Sequence, residues 1–271
     1  MKIGAVQLCV CVASRRGATI AIPTMQNLSG EGSMYRQFEE DFDKLRTRLI
    51  RMGSLVEEQV ELAFRALLEG NATLAELVIE RDDKVDKLDL KIDKQVQRIF
   101  ALSQPVARDL RLLLAAIKIN NEFERIGDYA VIVARLAFDS DAHMLAERVG
   151  FERITRATFT MVKASLDAFV GNDPELAKHV LATDDVVDAL ERELSAAIIA
   201  QMEATPRLIK SGTRLIIGLH NIERIADRAT NIAENVIFLA EAQTVRHQQL
   251  QEDVPPLETD DADDSTPDDR E

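Results

Sequence analysis

One five-residue pattern occurs twice in this chain, as Glu124-Arg125-Ile126-Gly127-Asp128 and as Glu223-Arg224-Ile225-Ala226-Asp227. The punctuation around the two copies also repeats. A long apolar-periodic stretch closes at Gly70-Asn71 and another at Gly171-Asn172, and Pro105 and Pro206 each open the stretch that carries the pattern. Repetition at this period limits the chain to two equivalent halves, each built from the same supersecondary unit. The period within each unit is that of the α-helix. With 46% hydrophobic, 30% charged and only 4% aromatic residues, and no Trp, the composition suits long Leu- and Ala-rich helices.

Residues 1–33 show no helical period and finish in the linker chemistry of Asn27 to Ser33, so they read as a disordered leader. The first bundle is expected over 34–139. Its first helix carries Phe38, Phe42, Leu45, Leu49, Met52, Val56, Val60, Ala63 and Leu67 at three- and four-residue steps. Its second runs over 72–102. Its third opens at Pro105 and runs to Phe138, with Leu110, Leu113, Leu114, Ile117, Phe123, Ile126 and Val133 as its apolar side. The second bundle is expected over 140–242: one helix over 142–170, one opening at Asp173-Pro174 as N-cap and first-turn proline, and one opening at Pro206. The fold class is therefore all-α, with six long helices in two tandem bundles. Residues 243–271, Asp-rich and broken by Pro255, Pro256 and Pro267, read as a disordered acidic tail. Adaptation to high salt and a contact for a basic partner are the other readings of that tail.

The formal net charge of -14 removes the basic field that nucleic-acid binding needs. Cys9 and Cys11 are too close together to staple a fold, which points to a reducing, cytoplasmic setting. No run reaches the ~18–20 apolar residues of a membrane span. A Gly-rich phosphate cradle and a plausible nucleophile–base pair are both missing, so the chain does not read as an enzyme.

The carboxylates carry the functional signal. Residues i and i+4 share one helix face, so Glu124 and Asp128 point together, as do Glu223 and Asp227, while Arg125 and Arg224 point elsewhere. The preceding helix of each half supplies a second pair, Asp82 with Asp86 and Asp184 with Asp188, with Asp89 or Asp93 nearby in the first half. Short connections make the paired helices antiparallel neighbours, and equal distances from the turn bring the pairs to matching height. Four carboxylates in one place need protons or cations. All-oxygen ligation selects hard ions such as Mg²⁺, Mn²⁺, Ca²⁺ or iron, with bridging carboxylates allowing more than one ion per site. The bland alternative is a solvated acidic face neutralised by Arg81, Lys84 and Lys87. His220 is either an extra ligand or a polar neighbour of Glu223. Carboxylates on bundles also build di-iron storage and oxidase sites, but those use Glu-x-x-His, which does not occur among these carboxylates.

From about Met34 to Glu241 the chain resembles the PhoU family. The resemblance rests on Gln104-Pro105-Val106-Ala107-Arg108-Asp109-Leu110-Arg111, on both Glu-Arg-Ile-small-Asp segments, and on Asn231-Ile232-Ala233-Glu234. It implies two three-helix bundles side by side about a pseudo-twofold, with acidic motifs that in some relatives bind multinuclear iron or other metal clusters. It also implies a homodimeric regulator rather than a catalyst. Such a regulator represses the phosphate-starvation response and phosphate uptake by linking the ATPase subunit of the phosphate ABC transporter to a sensor histidine kinase. After Asp128 the chain reads Tyr129-Ala130-Val131-Ile132-Val133-Ala134-Arg135, where the second repeat has Asn-Ile-Ala-Glu, so the first site is expected to hold fewer ions.

Overall fold

The computed structural model describes residues 28–242, with side chains from Phe38. The chain divides into two units, Met1–Glu39 and Glu40–Glu271, and all packing described below lies in the second. Seven α-helices occur among the described residues: α1 (Leu28–Glu69), α2 (Ala72–Leu102), α3 (Arg108–Ala134), α4 (Ser140–Val149), α5 (Glu152–Gly171), α6 (Pro174–Ala204) and α7 (Ile209–Glu241). Short 3₁₀ turns at Arg135–Phe138 and Pro206–Leu208 join α3 to α4 and α6 to α7. No strand occurs among the described residues, and none of the described helices is long and apolar enough to cross a membrane.

Most of the expected punctuation is present. Gly70 is left-handed and ends α1, and Asn71 caps α2 by accepting from the Leu74 N–H. Asp173 caps α6 through the Glu175 and Leu176 N–H groups, with Pro174 in the first turn. Other boundaries differ from expectation. α1 already begins at Leu28, inside the expected linker, because extending an established helix over Gly30 and Gly32 costs only about 1 kcal/mol per glycine. At the end of α5 the left-handed residue is Asn172, one position beyond Gly171. α3 starts at Arg108 rather than at Pro105, since Ala107 takes a positive φ and the turn is made before the helix begins.

The expected single helix over 142–170 is two. Gly150 has φ 80, and its N–H and that of Phe151 close on the carbonyls of Glu147 and Ala146, a glycine-ended helix stop. The chain then resumes as α5, with Phe151 at the junction completely buried. Expectation and structure also part on α3. Leu113, Phe123, Ile126 and Val133 are buried as expected, but Leu110, Leu114 and Ile117 face outward.

α1, α2 and α3 form one bundle, and α5, α6 and α7 the other. α2 is clamped to α1 by Gln59, which donates to Asp82, and by Gln95, which donates to the Asp41 carbonyl. α7 packs on α5, α6 and α3, so α3 and α7 form the seam between the bundles. They run antiparallel: Arg228 of α7 bonds Glu122 of α3, and Arg224 lies over the Tyr129 ring nearer the α3 C-terminus. Antiparallel third helices fit a pseudo-twofold that lies across the helix axes between the bundles. The Phe123 and Phe169 rings meet edge to face across the seam, 6.5 Å apart.

Asp139 fixes the join between the halves. Its carboxylate accepts from the Ala142 N–H as N-cap of α4, from the Ser211 hydroxyl and from the Arg214 guanidinium. Burial alone would raise its pKa, but these hydrogen bonds outweigh it and hold the carboxyl below its ordinary range. Asp139→Ala is expected to cost about 2 kcal/mol of unfolding free energy, measured by urea titration, because it removes a cap and a charge-assisted bond together.

Candidate metal centre

Each half places its two acidic pairs on adjoining helices. Asp82 and Asp86 lie on α2 opposite Glu124 and Asp128 on α3, and Asp184 and Asp188 lie on α6 opposite Glu223 and Asp227 on α7. Asp184 is buried, Asp86 is exposed, and the other six are half-buried. The small residue of the repeated pattern has a steric reason in the first half. A Cβ on Gly127 would stand 3.3 Å from Asp82 Oδ1 and 3.5 Å from Val85, so glycine lets α2 bring its carboxylate against α3.

The electrostatics show which carboxylates feel one another. Burial first, then repulsion from Asp86 and Asp128, raises the Asp82 pKa against the opposing hydrogen bond from Gln59. Burial and Asp128, with smaller contributions from Asp89 and Asp86, raise Glu124 against the pull of Arg125. In the second half Glu223 is pushed up to about 7 by burial and then by Asp227, Asp188, Glu191 and Asp184. Its buried Oε2 has no hydrogen-bond partner. His220 Nδ1 stands 3.5 Å from that oxygen on an exposed side chain, so it is a polar neighbour of Glu223.

Nearby cations largely go elsewhere. Arg81 pairs with Glu58, Lys87 with Asp83, and Arg224 stacks on Tyr129. Arg125 departs from expectation by lying 3.6 Å from Glu124, on a half-exposed side chain.

Three participants were not legible beforehand. Gln59, fully buried on α1, holds Asp82 by a 3.0 Å bond and keeps its own Oε1 unpartnered. Asn120 on α3 donates to both Asp89 (2.7 Å) and Asp93 (3.2 Å), so the acidic row on α2 continues two turns past Asp86. Glu191 adds to the second cluster. Gln59 offered a faint signal, as an amide in the apolar stripe of α1.

The donor set suits a hard cation: it is all carboxylate, partly desolvated, and short of positive charge around Glu223. As the side chains stand, no three Asp, Glu, His or Cys groups among the described residues are close enough to hold one metal ion. Cation binding would therefore have to draw the carboxylates inward.

Comparison with known proteins decides the ancestry of the chain. The PhoU domain family matches residues 49–137 and 151–236, one match per bundle. The chain belongs to the PhoU family. It is 37% identical over 214 residues to the phosphate-specific transport system accessory protein PhoU homolog of Pseudomonas aeruginosa, covering 78% of this chain and 88% of that one. To the Escherichia coli accessory protein PhoU it is 33% identical over 225 residues, covering 82% and 93%. The crystal structure of PhoU from Pseudomonas aeruginosa superposes with a TM-score of 0.71 at 36% identity, over 76% of this chain and all of that one. The second PhoU match starts at 151, at the beginning of α5, so α4 falls between the two PhoU domains.

Proposed function

We propose that this PhoU-family chain is a negative regulator of the phosphate-starvation response and of phosphate uptake. In this reading it is a non-catalytic helical adaptor between the ATPase subunit of a phosphate ABC transporter and a sensor histidine kinase, acting in the cytoplasm as a homodimer. The observation that carries the reading is the likeness, along about four-fifths of the chain, to accessory proteins of the phosphate-specific transport system.

Asp82, Asp86, Glu124 and Asp128 would hold cations in the first half, and Asp184, Asp188, Glu223 and Asp227 in the second. Iron is the leading candidate by family, with Mg²⁺, Mn²⁺ and Ca²⁺ suited to the same ligands. A bound cation would supply the positive charge that lets these carboxylates ionise side by side. The chain's own part is to set their spacing: Gly127 admits α2, Gln59 orients Asp82, and the α6–α7 contact surrounds Glu223 with acids.

The test is complementation of a strain lacking the chromosomal copy, read by a phosphate-responsive reporter. The full chain is expected to restore repression in high phosphate, and an unrepressed reporter at normal protein level would refute the regulator. An Asp128→Asn/Asp227→Asn chain that still folds is expected to repress more weakly. Full repression by that chain would separate the adaptor role from the carboxylates.

A further inference from the structure

Past the repeated motif, α2 carries a second aspartate pair. Asp89 and Asp93 lie on the side of α2 that meets Asn120 of α3, and their midpoint is about 10 Å further along the helix than that of Asp82 and Asp86. They are not part of the repeat. The same steps past Asp184 reach Glu191 and Ser195 in the second half, and Leu219 stands four residues before Glu223 where Asn120 stands four before Glu124.

Asn120 makes this pair more than an acidic patch. It is 1% exposed, and its amide nitrogen faces three oxygens: Asp89 Oδ1 at 2.7 Å, Asp93 Oδ1 at 3.2 Å and the Asp89 carbonyl at 3.4 Å. Its Oδ1 is buried with no hydrogen-bond partner. The oxygen and nitrogen ends of an amide are nearly the same size, and half a turn about the last side-chain bond exchanges them. One end lacks a partner in either orientation, so the exchange adds nothing to what the packing already bears. With its nitrogen inward the amide donates to the two carboxylates, and with its oxygen inward it completes a set of oxygens.

The spacing of that set is the spacing of a coordination sphere. Oxygens held about 2.0–2.4 Å from one hard divalent cation lie about 2.8–3.4 Å from their neighbours. The inward atom of the amide stands 2.7 and 3.2 Å from the two carboxylate oxygens. Both aspartates are half-buried, and neither forms an ion pair among the described residues. Burial and then Asp93 raise the Asp89 pKa against the hydrogen bond from Asn120, so the amide leaves the repulsion within the pair unrelieved. We propose that Asp89, Asp93 and Asn120 form a further cation site, found in the first half only, in which Asn120 turns Oδ1 inward onto a calcium-class ion and water fills the remaining positions. Two carboxylates, an amide oxygen and water are ligands that calcium takes readily. The site uses none of the motif carboxylates, so it stands or falls apart from the reading of those clusters.

Calcium titration by calorimetry tests this in the full-length chain carrying Asp128→Asn/Asp227→Asn, which weakens the motif clusters, at about 0.15 M salt to screen loose surface binding. That chain is expected to bind one Ca²⁺ that depends on Asp89 and Asp93. Adding Asp89→Asn/Asp93→Asn is expected to remove that ion. Asn120→Leu is expected to weaken its binding by at least about tenfold, and Asn120→Asp, which puts a third carboxylate in the same place, to tighten it. Helicity is recorded for every chain. Should the motif background fold poorly, Asp89→Asn/Asp93→Asn in the otherwise unaltered chain is expected to lower the bound calcium by one ion. A folded background chain that binds no calcium, bound calcium unchanged by Asp89→Asn/Asp93→Asn, or equal affinity after Asn120→Leu would each overturn the site.

Discussion

Phe123→Ala is expected to lower the unfolding free energy by about 3–5 kcal/mol, the cost of a large cavity in a core that cannot collapse around it. Phe123 is fully buried on α3 and meets Phe169 of α5 edge to face, so its ring belongs to both bundles. α7 packs against both α3 and α5, which keeps the vacated space open. Phe123→Leu is expected to lose much less, because most of the volume stays. Urea titration with the slope monitored would separate outcomes. A loss below about 1 kcal/mol for the alanine variant would show that the seam repacks freely and that the bundles are not mechanically joined there.

The second large effect concerns pH. Glu223 is raised from an ordinary 4.5 to about 7 in the folded chain. A carboxyl with a raised folded pKa is protonated in both states below about pH 4.5, so there it contributes no difference. As pH climbs toward 7 the unfolded chain gives up the proton and the folded chain retains it, so stability falls until the folded group also ionises. Its side chain is 21% exposed, and solvent screening reduces the penalty to about 2–3 kcal/mol at pH 8. Glu223→Gln is expected to be more stable than the parent by about that amount at pH 8 in chelator-treated samples, and equal to it at pH 4. Added divalent cation should narrow the gap at pH 8 by neutralising the cluster in the parent. A Gln variant no more stable than the parent at pH 8 would mean that the cluster relieves its repulsion some other way.

Much of the fold could be read from residue spacing because the deciding chemistry is local. Gly70, Asn71, Asp173 and Pro174 act on their own backbone, and their effect does not depend on what packs nearby. The placement of the acidic pairs on adjoining helices was legible for a related reason, since helical spacing and connection length alone place α2 against α3 and α6 against α7. Gly150 escaped notice because Leu145, Ala146, Ile154 and Ala157 continue an apolar period across it, so the break lies in backbone handedness rather than in hydrophobicity. The outward face of Leu110, Leu114 and Ile117 was hidden by composition. α3 is apolar all round from Leu112 to Ile117, and periodicity cannot choose a buried side for such a run. Gln59 and Asn120 are partners supplied across helices, and a single amide in an apolar row does not announce which carboxylate it will meet.

The most direct test of the carboxylate clusters is quantitative metal analysis of the purified full-length chain beside its Asp128→Asn/Asp227→Asn variant, with helicity recorded for both. The parent is expected to carry metal, and the variant to lose most of it while keeping its helices. Equal metal content in a well-folded variant would contradict the assignment of the paired carboxylates of α2–α3 and α6–α7 as cation sites.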